Sequence, residues 1–337
     1  MIYLTSLPDY NNNFNVNGNT IVSENLFKKY YRKNRDVLLD LTGSSKIQTR
    51  LKKILFYSIV FFLKNKNKQS IYTTLDDNYG FYLQILLLKF LSFFYKKIII
   101  HHHSFTYINK KNNLFKLLSS DKFIHISISE KQNQVLKKNY RIKNIYFIKN
   151  NALVYDNLFF KKKKNKKLKV IYFSALTKEK GIYDFLNLSK NFLNNNINFQ
   201  IYGNNCKQDV LNDIKRFKKN KFINKYQFNI YNKRKVSIFR ESDILLFPSS
   251  YKSETTPMVI DECINFQVIP ISYDIGDIKN QLENTNLIAK NFISLQKKLI
   301  HVTFNHIKYK QKIIRLKKKK LKLIKKQKEN LDKIFLI

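Results

Sequence analysis

Short apolar segments alternate with longer helical patterns along most of this chain, and this alternation limits the possible folds more than any other sequence feature. Segments such as Ile2–Leu7, Val37–Leu41 and Leu168–Phe173 have the length and composition of buried strands. Helical spacing of apolar residues follows, as in Ile21–Arg32. Strands separated by helices predict parallel sheets with helices on both faces.

The same reasoning predicts the remaining elements. Further strands are predicted at Ser70–Leu75, Lys97–His103, Phe123–Ser129, Ile145–Lys149, Phe199–Tyr202, 222–230, Asp243–Phe247 and Val268–Ser272. Further helices are predicted near 46–64, 80–95 and 207–218, at Gly181–Leu193 and Lys233–Arg240, and from Pro257 and about residue 277 onward. The expected fold class is therefore α/β, with two such units in tandem.

A run of like charges, K-K-K-K-N-K-K at residues 161–167, interrupts the alternation near the middle of the chain. Like charges repel one another and stay solvated, so we interpret this run as an interdomain linker. It predicts an N-terminal domain over 1–160 and a second domain over 168–300. Residues 301–337 are predicted to be a basic tail, because lysine, isoleucine and leucine recur at helical spacing over 307–330.

The charge of the chain is strongly positive. Its 337 residues include 64 Lys and Arg against 23 Asp and Glu, which gives a net charge of +41. Two explanations stay open: a compositional bias of the kind that an AT-rich genome gives, or attraction to an anionic membrane surface or anionic substrate. Nucleic acid is less favoured as a partner, because the lysines are spread along the chain without a nucleic-acid-binding motif.

Cysteine usage and apolar runs predict a cytoplasmic protein. Cys206 and Cys263 lack the spacing of a zinc site or a disulfide framework. The N-terminus leads into a polar run and does not predict a signal peptide. The apolar runs Ile54–Leu63 and Leu83–Tyr95 are too short to span a bilayer. We interpret them as core helices, although their Phe-rich, lysine-flanked character also allows one of them to lie at a membrane surface.

The stretch Ser249–Asn265 carries the strongest local signal for a binding site. Glu254 and Glu262 stand eight positions apart, and a predicted helix start lies between them. We expect the Thr256 hydroxyl to cap this helix and Pro257 to take the first helical position, where no N–H is needed.

The first turn of that predicted helix would form an anion site. The free N–H groups of Met258 and Val259, together with the helix dipole, would attract a group such as a diphosphate. A carboxylate on each side suits a nucleotide sugar, because the phosphates take the N–H groups and the hydroxyls donate to the carboxylates. This interpretation makes Glu254 and Glu262 donor-binding candidates.

Other candidates follow predicted strands, at the carboxyl ends where open parallel sheets bind ligands. Gly18 lies in the loop after the first strand, where a glycine lets a backbone approach a phosphate, although a single glycine taken alone favours a plain turn. Lys180 and Gly181 precede a helix start, and a lysine there can point at a diphosphate.

Three adjacent histidines end the fourth predicted strand. Because neighbouring side chains on a strand point to opposite faces, His101, His102 and His103 cannot all bind one metal ion. We expect His103 to face a cleft, with His101 behind it on the same face. Asp76 and Asp77 are adjacent and lack a third ligand, so they predict a solvated turn and not a metal site.

These residues together resemble a known enzyme family. Lys180-Gly181, the strand D-I-L-L-F-P-S from Asp243, and Glu254 with Glu262 look like the retaining nucleotide-sugar glycosyltransferases of family GT4. The likeness is strongest over about 168–290. It implies the GT-B fold: two Rossmann-like domains with parallel sheets that face each other across a cleft. The first domain would serve the acceptor side and the second would bind the donor.

The resemblance also implies roles for the site residues. Lys180 would bind the donor diphosphate, Glu254 would contact the donor sugar near its reacting face, and Glu262 would hold the ribose hydroxyls. The backbone of Thr256, Met258 and Val259 would help to cradle the phosphates.

In the first domain, Gly18 would lie near the distal phosphate, and His103 would touch the donor sugar or stabilise the reacting centre. The sequence departs from the family at Ala175, where an arginine is usual. Much of the positive charge at the diphosphate would then rest on Lys180.

The expected function is transfer of a sugar, with retention, from a UDP- or GDP-sugar to a lipid-linked or polysaccharide acceptor. The setting would be bacterial envelope synthesis of lipopolysaccharide, O-antigen or capsule, in the cytoplasm and peripherally at the inner face of the cell membrane. No metal or other cofactor is expected. The alternative hypothesis is a non-catalytic basic protein that binds nucleic acid or an anionic membrane.

Overall fold

The structure of the protein is a computed structural model. It describes residues 1–8, 18–33, 35–40, 70–75, 80–105, 107, 112–150, 152, 167–192, 197–204, 206–230, 232–252 and 254–336. The chain divides into two compact units, Met1–Asp156 with Ile324–Ile337, and Asn157–Leu323. The predicted helix near 46–64, the residues Asp76 and Asp77, and most of the predicted linker lie outside the described residues.

The first unit contains a six-stranded parallel sheet with the order β2-β1-β3-β4-β5-β6. Its strands are β1 Ile2–Thr5, β2 Val37–Asp40, β3 Ser70–Thr74, β4 Lys97–His102, β5 Phe123–Ser127 and β6 Ile145–Phe147. Its helices include α1 Gly18–Tyr30, α2 Gly80–Leu91 and α3 Glu130–Tyr140. Strand β4 lies in the interior of the sheet, which explains its run of three buried isoleucines.

The second unit contains another six-stranded parallel sheet, with the order β12-β11-β10-β7-β8-β9. Its strands are β7 Leu168–Phe173, β8 Ile197–Gly203, β9 Lys225–Phe228, β10 Ile244–Phe247, β11 Ile269–Tyr273 and β12 Ile288–Ala289. Its helices include α4 Ile182–Asn191, α5 Gln208–Lys219, α6 Asn232–Glu241, α7 Met258–Phe266, α8 Ile278–Leu282 and α9 Phe292–Phe304. One apolar cluster fills this unit on both faces of its sheet. The predicted α/β class with two parallel sheets is confirmed.

Several predicted strands extend too far at their carboxyl ends, and Phe123–Ser129 shows one physical reason. The sequence predicted Phe123–Ser129 as a strand, whereas β5 stops at Ser127. Ser129 instead caps α3, because its hydroxyl accepts a hydrogen bond from the Gln132 N–H at 3.0 Å. A capping serine has extended backbone angles, so its local conformation resembles that of a strand residue.

The chain ends in one long helix, α10 His306–Phe335. Its apolar residues recur at helical spacing and are buried, Ile313 in the core of the second unit and Leu331 in that of the first. The predicted basic tail is therefore a helix with one solvated, lysine-rich side and one packed side. None of the helices in the described part of the chain is both long enough and apolar enough to cross a bilayer.

Candidate active site

Two loops of the second unit meet at the carboxyl ends of β7 and β10. Gly181 has a φ of +81°, and a Cβ atom there would lie only 2.0 Å from the carbonyl oxygen of Pro248. Only glycine tolerates both this backbone conformation and this approach. The Ser250 N–H also donates to the Glu179 carbonyl oxygen at 2.8 Å. The loop that ends in Lys180 is thereby fixed against the loop that leads to Glu254.

Lys180 and Glu254 form an ion pair at this junction. Both side chains are largely buried, with 19% and 13% exposed. The Lys180 ammonium also lies 4.3 Å from the centre of the Tyr251 ring, within the range of a cation–π contact. These contacts bring together the two candidate residues that the sequence separates by 74 positions.

The loop before Lys180 is supported from inside the sheet. Tyr172, on β7, donates a hydrogen bond to the Ala175 carbonyl oxygen at 2.7 Å, and its hydroxyl lies 3.2 Å from the Lys180 carbonyl oxygen. Burial raises the pKa of Tyr172 far above its ordinary value, so the hydroxyl stays protonated and able to donate. Ala175 therefore contributes a backbone acceptor to the loop and no positive charge.

The backbone around Glu254 is held on its other side by the loop after β11. A Cβ atom on Gly276, whose φ is +59°, would lie 2.3 Å from the Thr255 carbonyl oxygen. The same carbonyl accepts a hydrogen bond from the Asp277 N–H at 2.7 Å. Glu254 thus lies on a segment that two glycine-dependent contacts position.

Glu262 is the most buried carboxylate among these candidates. It lies on α7 with 2% of its side chain exposed, and it forms an ion pair with Lys235 of α6. The Lys235 ammonium lies 5.4 Å from the centre of the Phe173 ring, at the end of β7. Because a buried carboxylate needs a partner, the contact with Lys235 stabilises the position of the Glu262 side chain on α7.

The neighbouring residue anchors α7 to the last helix. Asp261 Oδ1 lies 2.7 Å from Lys320 Nζ of α10, and only 5% of each side chain is exposed. Gln281 Nε2 donates to the second carboxylate oxygen of Asp261 at 3.1 Å. Two consecutive acidic residues of α7 therefore bind two different lysines, which fixes the rotation of the helix.

The predicted cap and first residue of α7 are wrong by one position. Pro257 is the N-cap and has a ψ of 119°, so α7 begins at Met258, and no side chain caps it. Thr256 Oγ1 is buried and has no hydrogen-bond partner among the described residues. The Pro257 carbonyl oxygen accepts the first helical bond, from Ile260 N–H at 3.1 Å, which moves the start one residue beyond the position where Thr256 could cap it.

After this correction the predicted anion site still exists, but backbone groups alone form it. Met258 and Val259 are the first two helical residues, and their N–H groups belong to the turn that lacks intrahelical acceptors. The helix dipole adds partial positive charge at this end. The turn begins four positions after Glu254 in the chain, so this carboxylate, its partner Lys180 and the N–H donors of the first turn belong to the same unit.

The remaining two candidates belong to the first unit. Gly18 is the first residue of α1. His103 follows β4 directly and is buried, with its ring 4.1 Å from that of His101. Burial lowers the pKa of His103 to about 3, so the ring is neutral. His102 points to the other face, where its Nε2 lies 2.9 Å from His125 Nδ1.

Two residues of the site were not identified from the sequence. Lys235 lies on a helix with neighbouring basic residues, and nothing in its spacing marks it as the partner of Glu262. Tyr251 lies three positions before Glu254, and only its aromatic character inside a polar loop could have drawn attention. In the described part of the chain, no group of three or more His, Cys, Asp or Glu residues could hold a metal ion.

Comparisons with known proteins agree with this architecture. The sequence model of the family "Glycosyl transferases group 1" matches residues 154–333. Among solved structures, a glycosyltransferase from Rickettsia africae is similar with a TM-score of 0.62 and 15% identity, over 98% of this chain and 99% of that one. A search of curated protein sequences found no significant match.

Two further solved structures are similar and contain ligands. The Anabaena protein Alr3699/HepE in complex with UDP has a TM-score of 0.67 and 10% identity, over 99% of this chain and 95% of that one. The pneumococcal O-GlcNAc transferase GtfA, in complex with UDP and GlcNAc, has a TM-score of 0.60 and 15% identity, over 83% and 60%. The family match covers more than half of the chain, and the fold agrees, so this protein belongs to the group 1 glycosyl transferases and is a glycosyltransferase with the GT-B fold.

Proposed function

We propose that this protein is a retaining glycosyltransferase of family GT4, which transfers a sugar from a UDP- or GDP-sugar to a lipid-linked or glycan acceptor. The reaction takes place in bacterial envelope polysaccharide synthesis, at the cytoplasmic face of an anionic membrane. The donor reacts without a metal ion. The acceptor assignment depends on the strongly basic, lysine-rich character of the chain.

The observation that carries this proposal is the contact of Lys180 with Glu254 beside the start of α7. In this ion pair, the Glu254 carboxylate neutralises the Lys180 ammonium group. A diphosphate at the N-terminus of α7 would compete for that ammonium group, because its oxygens carry more negative charge. Glu254 would then accept hydrogen bonds from hydroxyls of the donor sugar.

The same arrangement supports the chemical step. Displacement of a nucleoside diphosphate from an anomeric carbon builds negative charge on the leaving phosphate. Lys180 and the N–H groups of Met258 and Val259 stabilise that charge, and preorganised donors of this kind supply much of the rate enhancement. Glu262, held by Lys235, accepts the ribose hydroxyls and fixes the nucleoside in position.

The solved relatives support the donor class. The Anabaena protein was solved with UDP, and the pneumococcal protein with UDP and GlcNAc. Retention is part of the proposal and is supported by the resemblance to family GT4 that Lys180, Glu254 and Glu262 carry. His103, buried and neutral in the first unit, is proposed to contact the donor sugar, and Gly18 the distal phosphate.

A donor panel tests this function directly. Thermal-shift measurements with UDP, GDP and their sugars would identify the nucleotide, and radiolabelled donors would report hydrolysis or transfer. Glu254→Gln should abolish turnover while the protein stays folded, and Lys180→Gln should weaken nucleotide binding. Glu283→Gln is the matched control, because Glu283 also pairs with a lysine but lies away from these loops in sequence.

Two results would overturn the proposal. One is the absence of hydrolysis and transfer with every donor in a folded, nucleotide-binding preparation. The other is binding that depends steeply on salt and ignores Glu254, Glu262 and Lys180, which would favour the non-catalytic basic protein instead. Proton NMR of the anomeric centre of the product separately tests retention.

A further inference from the structure

The outer side of α2 is a continuous apolar surface. Six large side chains of this helix and the turn after it are between 38% and 73% exposed: Tyr82, Leu83, Leu86, Phe90, Phe93 and Phe94. Their positions advance by one, three or four residues, so they form one stripe along the helix. We name these six residues the α2 apolar face.

The opposite side of α2 is apolar as well. Ile85, Leu88 and Leu91 are buried in the core of the first unit. A surface helix of a globular protein carries polar residues on its outer side, whereas a helix that is apolar all round is covered by another apolar medium. The sequence predicted Leu83–Tyr95 as a core helix and also allowed it to lie at a membrane surface, and only one side of this helix is in the core.

Positive charge surrounds the α2 apolar face. No Asp or Glu occurs between Gly80 and Ser120, whereas Lys89 and Lys96 lie within or directly after the stripe. The Lys89 ammonium lies 5.8 Å from the centre of the Phe93 ring, at the edge of the apolar surface. Leu114, on a short 3₁₀ helix that packs against α2, adds a further exposed apolar side chain.

We propose that the α2 apolar face inserts into the interfacial region of an anionic phospholipid bilayer, with Lys89 and Lys96 contacting the headgroups. A short helix with exposed aromatic and leucine side chains and flanking lysines has the composition of an element that lies in the membrane plane. Its 12 residues span about 18 Å, less than the roughly 30 Å of hydrocarbon. The helix therefore lies on the bilayer and does not cross it.

The charge of the protein favours an anionic bilayer over a second copy of the chain as the partner of the α2 apolar face. Two such faces packed together would bring their lysines close to one another, and each copy carries a net charge of +41. An anionic lipid surface instead attracts each lysine near it. The inference extends the proposed function by naming the surface that meets a lipid-linked acceptor, but vesicle binding can be measured without turnover.

A single introduced tryptophan tests the location of the contact. The chain contains no tryptophan, so Phe93→Trp places the only one in the α2 apolar face. Its emission should shift to the blue on addition of phosphatidylcholine vesicles that contain phosphatidylglycerol, and brominated lipids should quench it. Phe304→Trp, at an 86% exposed position of the second unit, is the matched control and should not respond.

Substitutions test how much the α2 apolar face contributes to vesicle binding. The triple variant Leu86→Ser, Phe90→Ser, Phe93→Ser should lose at least about tenfold in partitioning to these vesicles. The control triple Ile293→Ser, Phe304→Ser, Ile307→Ser should bind like wild type, because these residues are exposed elsewhere. Lys89→Gln and Lys96→Gln should each weaken binding to anionic vesicles about fivefold and leave binding to neutral vesicles unchanged.

Three results would overturn the proposal. The first is vesicle binding that the α2 triple variant retains in full. The second is a Phe93→Trp emission that is already blue-shifted without lipid and does not change. The third is a concentration-dependent dimer that the α2 triple variant abolishes. Donor hydrolysis without vesicles separates the two proposals, because its absence in every variant contradicts the enzymatic function and leaves the vesicle results valid.

Discussion

Replacement of Lys320 by methionine would measure how much the buried ion pair between α7 and α10 stabilises the second unit. Lys320 Nζ lies 2.7 Å from Asp261 Oδ1, and both side chains are 5% exposed. Methionine retains most of the apolar length of the side chain but removes the cation. The Asp261 carboxylate would then be buried without its charge partner, although Gln281 would still donate to it.

The expected loss is large because the Asp261 carboxylate loses the cation beside it and stays buried, where it cannot regain its hydration. Removing one partner of a buried pair costs about 3–5 kcal/mol. In a cooperative unit of about 150–250 residues, each kcal/mol lowers the melting temperature by about 2–4 °C. We therefore expect Lys320→Met to lower the midpoint by about 6–20 °C in scanning calorimetry.

The preceding residue provides a matched control. Lys319 Nζ lies 2.8 Å from Glu283 Oε2, but Lys319 is 71% exposed. Exposed pairs contribute about 0–1 kcal/mol, so Lys319→Met should leave the midpoint almost unchanged. Equal shifts from the two variants would refute the argument from burial. The double variant Asp261→Asn, Lys320→Met should recover most of the loss, because no buried charge is then left unpaired.

Three further predictions concern the second unit and the histidines of the first. Lys235→Gln leaves Glu262 without its cation and should weaken donor binding about tenfold in calorimetric titration. Gly181→Ala places a Cβ atom against the Pro248 carbonyl oxygen and should lower the free energy of unfolding by at least about 1–2 kcal/mol in urea titrations. Burial lowers the pKa of His125 to about 4, so the unfolded chain binds a proton there that the folded chain does not. Between about pH 6.5 and pH 4, His125 alone should contribute about 1.4 kcal/mol per pH unit to the loss of stability, in addition to the contributions of His101, His102 and His103, whose pKa values burial also lowers.

Each of these predictions has an outcome that contradicts it. Lys225→Gln is the control for Lys235, because Lys225 is exposed, and equal losses of donor affinity would exclude a specific effect. A Gly181→Ala variant as stable as wild type would show that the loop adapts. His125→Gln should make the acid limb of the stability curve shallower by the contribution of one histidine, whereas His301→Gln, at an exposed position, should leave the limb unchanged.

The pattern of strands and helices was predictable because it depends on local spacing. Periodicity reveals which residues need burial, and both sheets contain the predicted strands with ends shifted by a few residues. The short edge strand β12 was not predicted. The shifts occur where local chemistry is ambiguous. Ser129 was predicted to be a strand residue, but it caps α3. Thr256 was predicted to cap α7, but no side chain caps that helix.

The candidate site was predictable only in part, because its partners are distant in sequence. The motif identified Lys180, Glu254 and Glu262 one by one. Which cation meets which carboxylate depends on the order of the strands, since the loops after β7 and β10 meet only because these strands are neighbours. Lys235 became visible as the partner of Glu262 only in the folded chain.

By itself, the sequence determined the α/β class, the two parallel sheets and the glutamates of the site, because periodicity and short motifs are local properties of the chain. Tertiary structure alone decided which apolar residues are covered. The run Leu83–Tyr95 looks the same in sequence whether it is buried or exposed, and only packing against the sheet shows that one side of α2 enters the core and the other does not. The same holds for the ion pairs, because burial and charge partners arise from contacts between segments that the sequence keeps far apart.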